Sequence, residues 1–372
     1  MTRMKKKTHL KINPPREHFH LQWHITERCN LRCTHCYMDQ KLIREEMGFD
    51  AIKNILHQHH RQIGEWGVPR SRNRISFTGG EPFFRKDFFD ILQECYANHG
   101  VSQYGILCNG FFLTDENVSR LKSLKVDYIQ VSIEGLQKTN DSIRGQGSFK
   151  KAVEGLLRLA DSGIRTSISM TVHKKNIKEV PAMLDLAKRL KVDTLGVRRL
   201  VPTGHGKAMS DFMLSPQQTR EFFEYAERVG ARVEGVGVTV GCEDGIFAQN
   251  MHYFPRGCLC GYHSLTLLPN GYVYPCRRLP VLAGDLRKES LKDVYEKSDL
   301  LDDIRNVNYM NSECLACPFY NECLGGAKCI SYAYWKKLGG PDPQCWRRFK
   351  ELPPRNTKWN IPHREKRTVT YF

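Results

Sequence analysis

The chain has 372 residues, 40% hydrophobic and 26% charged, enough for one large α/β domain with a smaller module and too apolar for a disordered chain. No run approaches the ~18 consecutive apolar residues of a membrane span, and the start Met1-Thr-Arg-Met-Lys-Lys-Lys7 leads into no signal-peptide core, so the reading is cytoplasmic. Of the formal charge of +17, residues 1–19 carry +5 and residues 346–372 carry +6; two basic tails on a near-balanced body suit a polyanionic partner, or are solvated ends.

From residue 19 to about 230, short β-rich runs alternate with amphipathic stretches of helical length. Strands are expected at 19–26, 74–78, 103–109, 128–133, 166–172 and 194–199, and helices at 49–65, 86–99, 114–124, 148–162, 176–190 and 215–229. Repeated βα units build a parallel sheet, and six of them fit a partial (β/α)6 TIM-like barrel better than a closed eightfold one. Strands that end in Gly79-Gly80-Glu81-Pro82, Cys108-Asn109-Gly110 and Ser132-Ile133-Glu134-Gly135 put distinctive residues where such barrels build their sites. After about residue 235 the helical periodicity fades, and nine of the 14 cysteines lie between Cys242 and Cys345. In a reducing compartment so many cysteines are expected to hold metal, which replaces part of the core this segment lacks. The expected layout is a basic extension (1–18), a barrel (19–234), a small Cys-rich iron-sulfur module packed directly on it (235–348) and a basic tail (349–372).

Glu27-Arg-Cys29-Asn-Leu-Arg-Cys33-Thr-His-Cys36-Tyr37 follows the first strand immediately. Three thiolates at C-x3-C-x2-C spacing wrap one corner of a cubane and leave one iron without a protein ligand. A zinc site completed by His35 is the alternative. The spacing, Tyr37 beside the third cysteine and the place after strand one resemble the radical S-adenosylmethionine (radical SAM) superfamily over about residues 19–230.

The resemblance implies that Cys29, Cys33 and Cys36 hold a 4Fe-4S cluster whose open iron chelates S-adenosylmethionine (SAM). An electron from an external reductant such as flavodoxin or ferredoxin then yields a 5′-deoxyadenosyl radical that abstracts a substrate hydrogen. Gly79, Gly80, Glu81 and Pro82 resemble the family's GGEP motif. Its glycines let backbone carbonyls approach the SAM ammonium, and Glu81 adds charge or steadies the turn. Tyr37, Asn109, Ser132 and Glu134 lie where relatives contact SAM, and Arg198 or Arg199 is placed to pair with its carboxylate. Strand ends also use such residues for turns.

Cys258, Cys260, Cys276, Cys314, Cys317, Cys323, Cys329 and Cys345 resemble a SPASM domain and supply the eight thiolates of two more 4Fe-4S clusters, three in all. The resemblance implies one auxiliary cluster on Cys260, Cys276 and Cys329 with Cys258 as fourth ligand, and another on Cys314, Cys317, Cys323 and Cys345. Five residues separate Cys323 from Cys329 where relatives have three, and one separates Cys258 from Cys260, so three or four ligands are open for the first. A zinc ribbon on Cys314-x2-Cys317 would leave the other cysteines idle. Cys95, Cys108 and Cys242 fall outside these patterns, the first two reading as small buried hydrophobes.

SPASM relatives mostly modify ribosomal peptides or proteins, and a smaller group acts on tetrapyrrole propionates. In sulfatase maturases an Asp after the G-x4-C cysteine is the base. Arg277 stands there instead, followed by Arg278, which argues against that reaction. Two cations beside a cluster suit an anionic substrate group, or balance cluster charge, and Arg277 is counted with the catalytic residues. The 28 residues before Cys29 are too few for a leader-binding winged helix, so recognition would fall to a partner, the tails or the barrel mouth. The expected activity is oxidative modification of a peptide, with a crosslink or thioether as product and an acidic leader as a fitting partner. The alternative is oxidation or decarboxylation of a polycarboxylate tetrapyrrole. RNA modification fits less well, because no RNA-binding module is evident.

Overall fold

The computed structural model describes residues 18–39, 45–229, 232–233, 236–240, 258, 260–305 and 309–359. Most of both basic tails and Cys242 lie outside these residues. The first half builds β1 (Phe19–Thr26), α1 (Phe49–Trp66), β2 (Asn73–Gly79), α2 (Phe88–Ala97), β3 (Gln103–Cys108), α3 (Asp115–Ser123), β4 (Tyr128–Ser132), α4 (Gln137–Arg144) and α5 (Ser148–Leu159). It continues with β5 (Arg165–Val172), α6 (Val180–Arg189), β6 (Thr194–Arg199), α7 (Pro216–Val229), β7 (Arg232–Val233) and β8 (Val236–Val240). The local sequence explains several boundaries. Thr114 caps α3, its side chain accepting from Asn117 N, with Asp115 and Glu116 in the first turn and Arg120 and Lys122 in the last. Helix α1 stops at Gly67, whose φ of 69° supplies a left-handed cap.

The second half adds β9 (Ser264–Leu267), β10 (Tyr272–Tyr274), β11 (Gly284–Asp285) and the short helices α8 (Leu291–Lys297), α9 (Asp299–Arg305), α10 (Ser312–Leu315), α11 (Tyr320–Cys323) and α12 (Lys328–Trp335). The described strands form one sheet in the order β11-β10-β9-β1-β2-β3-β4-β5-β6-β8-β7. Strands β1 to β6 pair in parallel with their chain neighbours, β9 is parallel to β1, and β8 is parallel to β6.

Alternation along each strand decides what the two faces do. Phe19, Leu21, Trp23 and Ile25 of β1 join Ile129 and Val131 of β4 and Ile168 and Met170 of β5 in the main apolar core, against the helices. The residues between them are polar: Gln130 and Ser132, Ser169 and Thr171, and Arg198 all line one cavity. Only a curved sheet brings strands from β2 to β6 around one cavity, and this is the partial barrel. Its interior is hydrophilic, unlike a TIM barrel filled with branched side chains.

The six expected strands occur with ends within one residue. Three features differ from the sequence reading. Helix α4 was not expected, since its polar sequence buries only Asn140, Asp141 and Ile143. Strand β8 lies past the expected boundary at 234/235 yet extends the barrel sheet. The Cys-rich segment is not without a core or helices: Leu279, Val281, Ile330, Ala333 and Trp335 pack with Leu200 and Met213 in a second apolar cluster. Helices of four to eight residues are too short to show a 3.6-residue period.

A buried ion pair closes the second module onto the barrel. Arg199 at the end of β6 donates to Asp342 (2.8 and 3.2 Å) and to Gln344 Oε1 (2.9 Å), with the Arg199 and Asp342 side chains each 1% exposed. Asp342 also accepts from the backbone N–H groups of Ala327 and Gln344. Replacing Asp342 by Ala strands a guanidinium in the interior and should cost about 3–5 kcal/mol. Removing Glu224, the partner of exposed Arg220, should cost under about 1 kcal/mol. Chemical unfolding of both variants measures the difference, and equal losses would contradict it.

Candidate functional site

The loop after β1 carries Cys29, Cys33 and Cys36, all half-buried, along one wall of an open cavity of about 150 Å³. Backbone bonds fix the loop from several sides: Thr34 N donates to Ile143 O (2.9 Å), Gly206 N to Cys36 O (2.9 Å) and Glu81 N to Arg28 O (2.8 Å). Burial pushes the Cys29 thiol up to about 12 and the Cys36 thiol up to about 11, and raises Cys33. Such thiols keep their protons until a metal displaces them.

His35 Nε2 lies 3.0 Å from Glu134 Oε1, which fixes the ring beside the cysteine loop. Among the described residues, no three His, Cys, Asp or Glu side chains converge on a single ion. A donor set of three thiols and no fourth ligand fits a cubane corner, whose irons spread the ligands wider than one ion does.

Gly79 and Gly80 line the same cavity at the end of β2. Gly79 has φ +138°, and a Cβ there would collide with the carbonyl oxygen of Thr26; one on Gly80 would collide with that of Arg28. The pair therefore lets β2 lie directly against the cysteine loop, with Gly80 N donating to Thr26 O (2.8 Å). Pro82 starts the next turn (Pro82–Phe84). Of the two roles open to Glu81, the structure supports steadying the turn. Glu81 is buried, is not part of the cavity wall, and accepts from Asn109 N (2.9 Å), while burial pushes its carboxyl up to about 8.

Tyr37, Asn109, Ser132, Glu134 and Arg198 all line the cavity. Asn109 Nδ2 donates to Asn30 Oδ1 (2.8 Å), tying β3 to the cysteine loop. Tyr37 Oη lies 3.3 Å from His24 Nε2, and burial raises its phenol to about 12. Both oxygens of Glu134 are engaged, Oε1 by His35 and Arg144 (2.5 Å) and Oε2 by Thr171 N (2.6 Å). Burial alone would raise this carboxyl, but His35 and Arg144 hold it well below the usual carboxylate range. Arg199, the alternative to Arg198, is committed to Asp342.

Sequence reasoning missed Gln130, Ser169, Thr171 and Arg144. The first three carried a signal in the polar–apolar alternation of their strands. Arg144 carried none, since it ends the unexpected helix α4. Cys95 is a core residue as expected, and Cys108 is buried but borders the cavity.

The remaining cysteines fall into two groups. Cys258, Cys260 and Cys329 are buried together in the second apolar cluster, with Cys276 packed against it. Buried Lys328 donates to Cys258 O (3.1 Å), placing a cation beside this group. Cys314, Cys317, Cys323 and Cys345 surround a separate small cavity of about 40 Å³. Burial raises Cys314 to about 11 and Cys323 to about 12. The grouping is the same as in the two ligand sets that the family resemblance implies, and Cys329 lies in sequence between members of the other set.

Two family models match the chain: "Radical SAM superfamily" over residues 23–187 and "Iron-sulfur cluster-binding domain" (SPASM) over residues 258–318. The chain is 27% identical to the AdoMet-dependent heme synthase of Methanosarcina barkeri, over 84% of this chain and 91% of that protein. It is also 27% identical to the mycofactocin maturase MftC of Mycolicibacterium smegmatis, over 87% of this chain and 82% of the other. In fold it is similar to Streptococcus suis SuiB bound to S-adenosylmethionine, with TM-score 0.70, 19% identity, and coverage of 89% and 77% of the two chains.

The Glu81 carboxyl gives a pH signature. Its ordinary value is 4.5, so below that pH it is protonated both folded and unfolded. Between there and about 8 the unfolded chain loses the proton that the fold keeps, so rising pH subtracts stability. Glu81→Gln should remove that loss, at most about 1.4 kcal/mol per pH unit. Thermal unfolding from pH 5 to 8 checks this, and parallel profiles for the two proteins would contradict it.

Proposed function

Because the chain belongs to the radical SAM superfamily and carries a SPASM iron-sulfur cluster-binding domain, we propose that this radical SAM enzyme oxidatively modifies a ribosomally made peptide. The observation that carries the reading is the meeting of the Cys29, Cys33 and Cys36 thiols, the Gly79-Gly80 turn and a polar barrel wall at one open cavity. When bound there, a 4Fe-4S cluster with SAM supplies the electron transfer and the carbon radical that remove a substrate hydrogen atom.

The protein's own groups set the scene for that chemistry. The glycine turn leaves backbone at the cavity edge for the amino end of SAM. Tyr37, Asn109 and Ser132 offer hydrogen-bonding groups around it, and Glu134 fixes His35 and Arg144 instead of contributing a free acceptor. Arg198 offers a cation to the SAM carboxylate. The second module brings two thiol groups, Cys258, Cys260, Cys276 and Cys329, and Cys314, Cys317, Cys323 and Cys345, fitted to auxiliary clusters that take up the electron left on the substrate. Three clusters in total, and a small redox protein such as flavodoxin or ferredoxin as donor, follow from this assignment. No helix among the described residues is long and apolar enough to cross a membrane.

The peptide reading is supported by relatives that span most of the chain: mycofactocin maturase MftC and a PqqA peptide cyclase of Methylocella silvestris, 25% identical over 86% of this chain. The fold is shared with SuiB, also solved with its precursor peptide SuiA. A second reading, chemistry on tetrapyrrole carboxylates, is favoured by the heme synthase relative and by the guanidinium groups in the cavity.

Anaerobic co-expression with a small peptide encoded beside the gene tests the proposal by mass spectrometry. The expected result is peptide that has lost hydrogen, with 5′-deoxyadenosine formed. Reconstituted protein should carry about twelve irons, and changing Cys29, Cys33 and Cys36 to Ala should remove about four of them together with SAM cleavage. Wild-type protein that does not cleave SAM would contradict the radical assignment, and an unchanged peptide beside an altered porphyrin tetracarboxylate would favour the second reading.

A further inference from the structure

Arg277 belongs to the second module, yet its side chain lines the barrel cavity. Its neighbour Cys276 is not in that wall and packs into the second apolar cluster, so the two residues serve different compartments. The Arg277 guanidinium lies 5.7 Å from the centre of the Tyr37 ring, and its Nε is shut off from solvent without a hydrogen-bond partner. Arg198 reaches the cavity from β6, where its guanidinium lies 3.5 Å from Ser169 Oγ. Arg278 lines the cavity too.

Two further cations there are already neutralised, Arg144 by Glu134 and Arg199 by Asp342. Among the described residues, neither Arg198 nor Arg277 forms an ion pair with a carboxylate. Arg277 shares the cavity wall with Arg278 and Arg198. Holding like charges together with a buried donor unmade is costly unless an anion arrives. SAM brings one carboxylate, for which Arg198 is the partner in the reading above. Arg277, oriented by the Tyr37 ring next to Cys36, is left with a planar fork of donors suited to a second carboxylate.

We propose that Arg277 is the recognition site for a carboxylate of the substrate, seated in the same cavity as the Cys29, Cys33 and Cys36 thiols. The substrate is thus an acid at or next to the position that reacts. The source of the carboxylate is an acidic side chain, a peptide C-terminus or a tetrapyrrole propionate. The inference rests on the functional reading above only for where the reaction occurs, since binding is measured without turnover.

The test uses full-length, anaerobically reconstituted protein with SAM and four probes at one low ionic strength. These are a short fluorescent polyglutamate peptide with amidated C-terminus, the polyglutamine amide, polyglutamine with a free C-terminus, and a porphyrin tetracarboxylate. At least one carboxylate probe should bind wild type about 10- to 100-fold more tightly than the polyglutamine amide, and the probe that does identifies the source. Arg277→Gln should abolish that advantage with iron content unchanged, Arg277→Lys should restore part of it, and Arg220→Gln on the exposed face of α7 should leave binding as it is. The proposal is overturned if no carboxylate probe outbinds the polyglutamine amide, or if the advantage survives Arg277→Gln. Iron lost from Arg277→Gln would also overturn it, by assigning the guanidinium to cluster charge. Failure of wild type to cleave SAM would defeat the radical reading and leave this binding result standing.

Discussion

The close approach of two backbones is the constraint on which the site depends. The end of β2 lies so near the turn after β1 that any side chain at Gly79 or Gly80 would strike the carbonyls of Thr26 and Arg28. Because the glycines permit this contact, Gly80 N and Glu81 N can bond to those carbonyls and hold the cysteine loop at the mouth of the barrel. Glu81 reinforces the arrangement from below by accepting from Asn109 N, and the Asn109 side chain returns to the loop through Asn30. A motif that reads from sequence as a cofactor contact is thus first a device for bringing three strand ends together. Substitution of either glycine would move the thiols before it altered any ligand contact.

A second organising feature is the division of charge inside the cavity. Glu134 neutralises Arg144 and orients His35, and Asp342 neutralises Arg199 while fastening the second module to the barrel. These pairs are structural, since their desolvation is offset only by their mutual contacts. Arg198 and Arg277 line the same cavity and, among the described residues, form no ion pair with a carboxylate. The polar lining contributed by alternate residues of β4, β5 and β6 makes the same compartment hospitable to a charged, hydrogen-bonding substrate.

Much of this was legible in the sequence. The period-two and helical patterns of residues 19–230 located all six barrel strands, because those strands are long and their outward faces are apolar. The family resemblance, carried residue by residue onto these cysteines, anticipated which thiols lie together, even where the two sets interleave around Cys329. Helix α4 was hidden by its polarity, and the helices of the second module by their brevity. The choice between Arg198 and Arg199 was not readable either, since both are arginines on one strand end and only the three-dimensional position of Asp342 distinguishes them. The inward polar residues were visible as an alternation, but only the curvature of the sheet gave that alternation a meaning.

The central claim is that the Cys29, Cys33 and Cys36 thiols hold a cluster with one iron open to SAM. Electron paramagnetic resonance of the reduced, anaerobically reconstituted protein addresses it most directly. The account predicts a cluster signal that changes shape when SAM is added and is missing from the variant with all three cysteines replaced by alanine, while the signals of the second module persist. A spectrum indifferent to SAM, or one that survives loss of those three thiols intact, would contradict it.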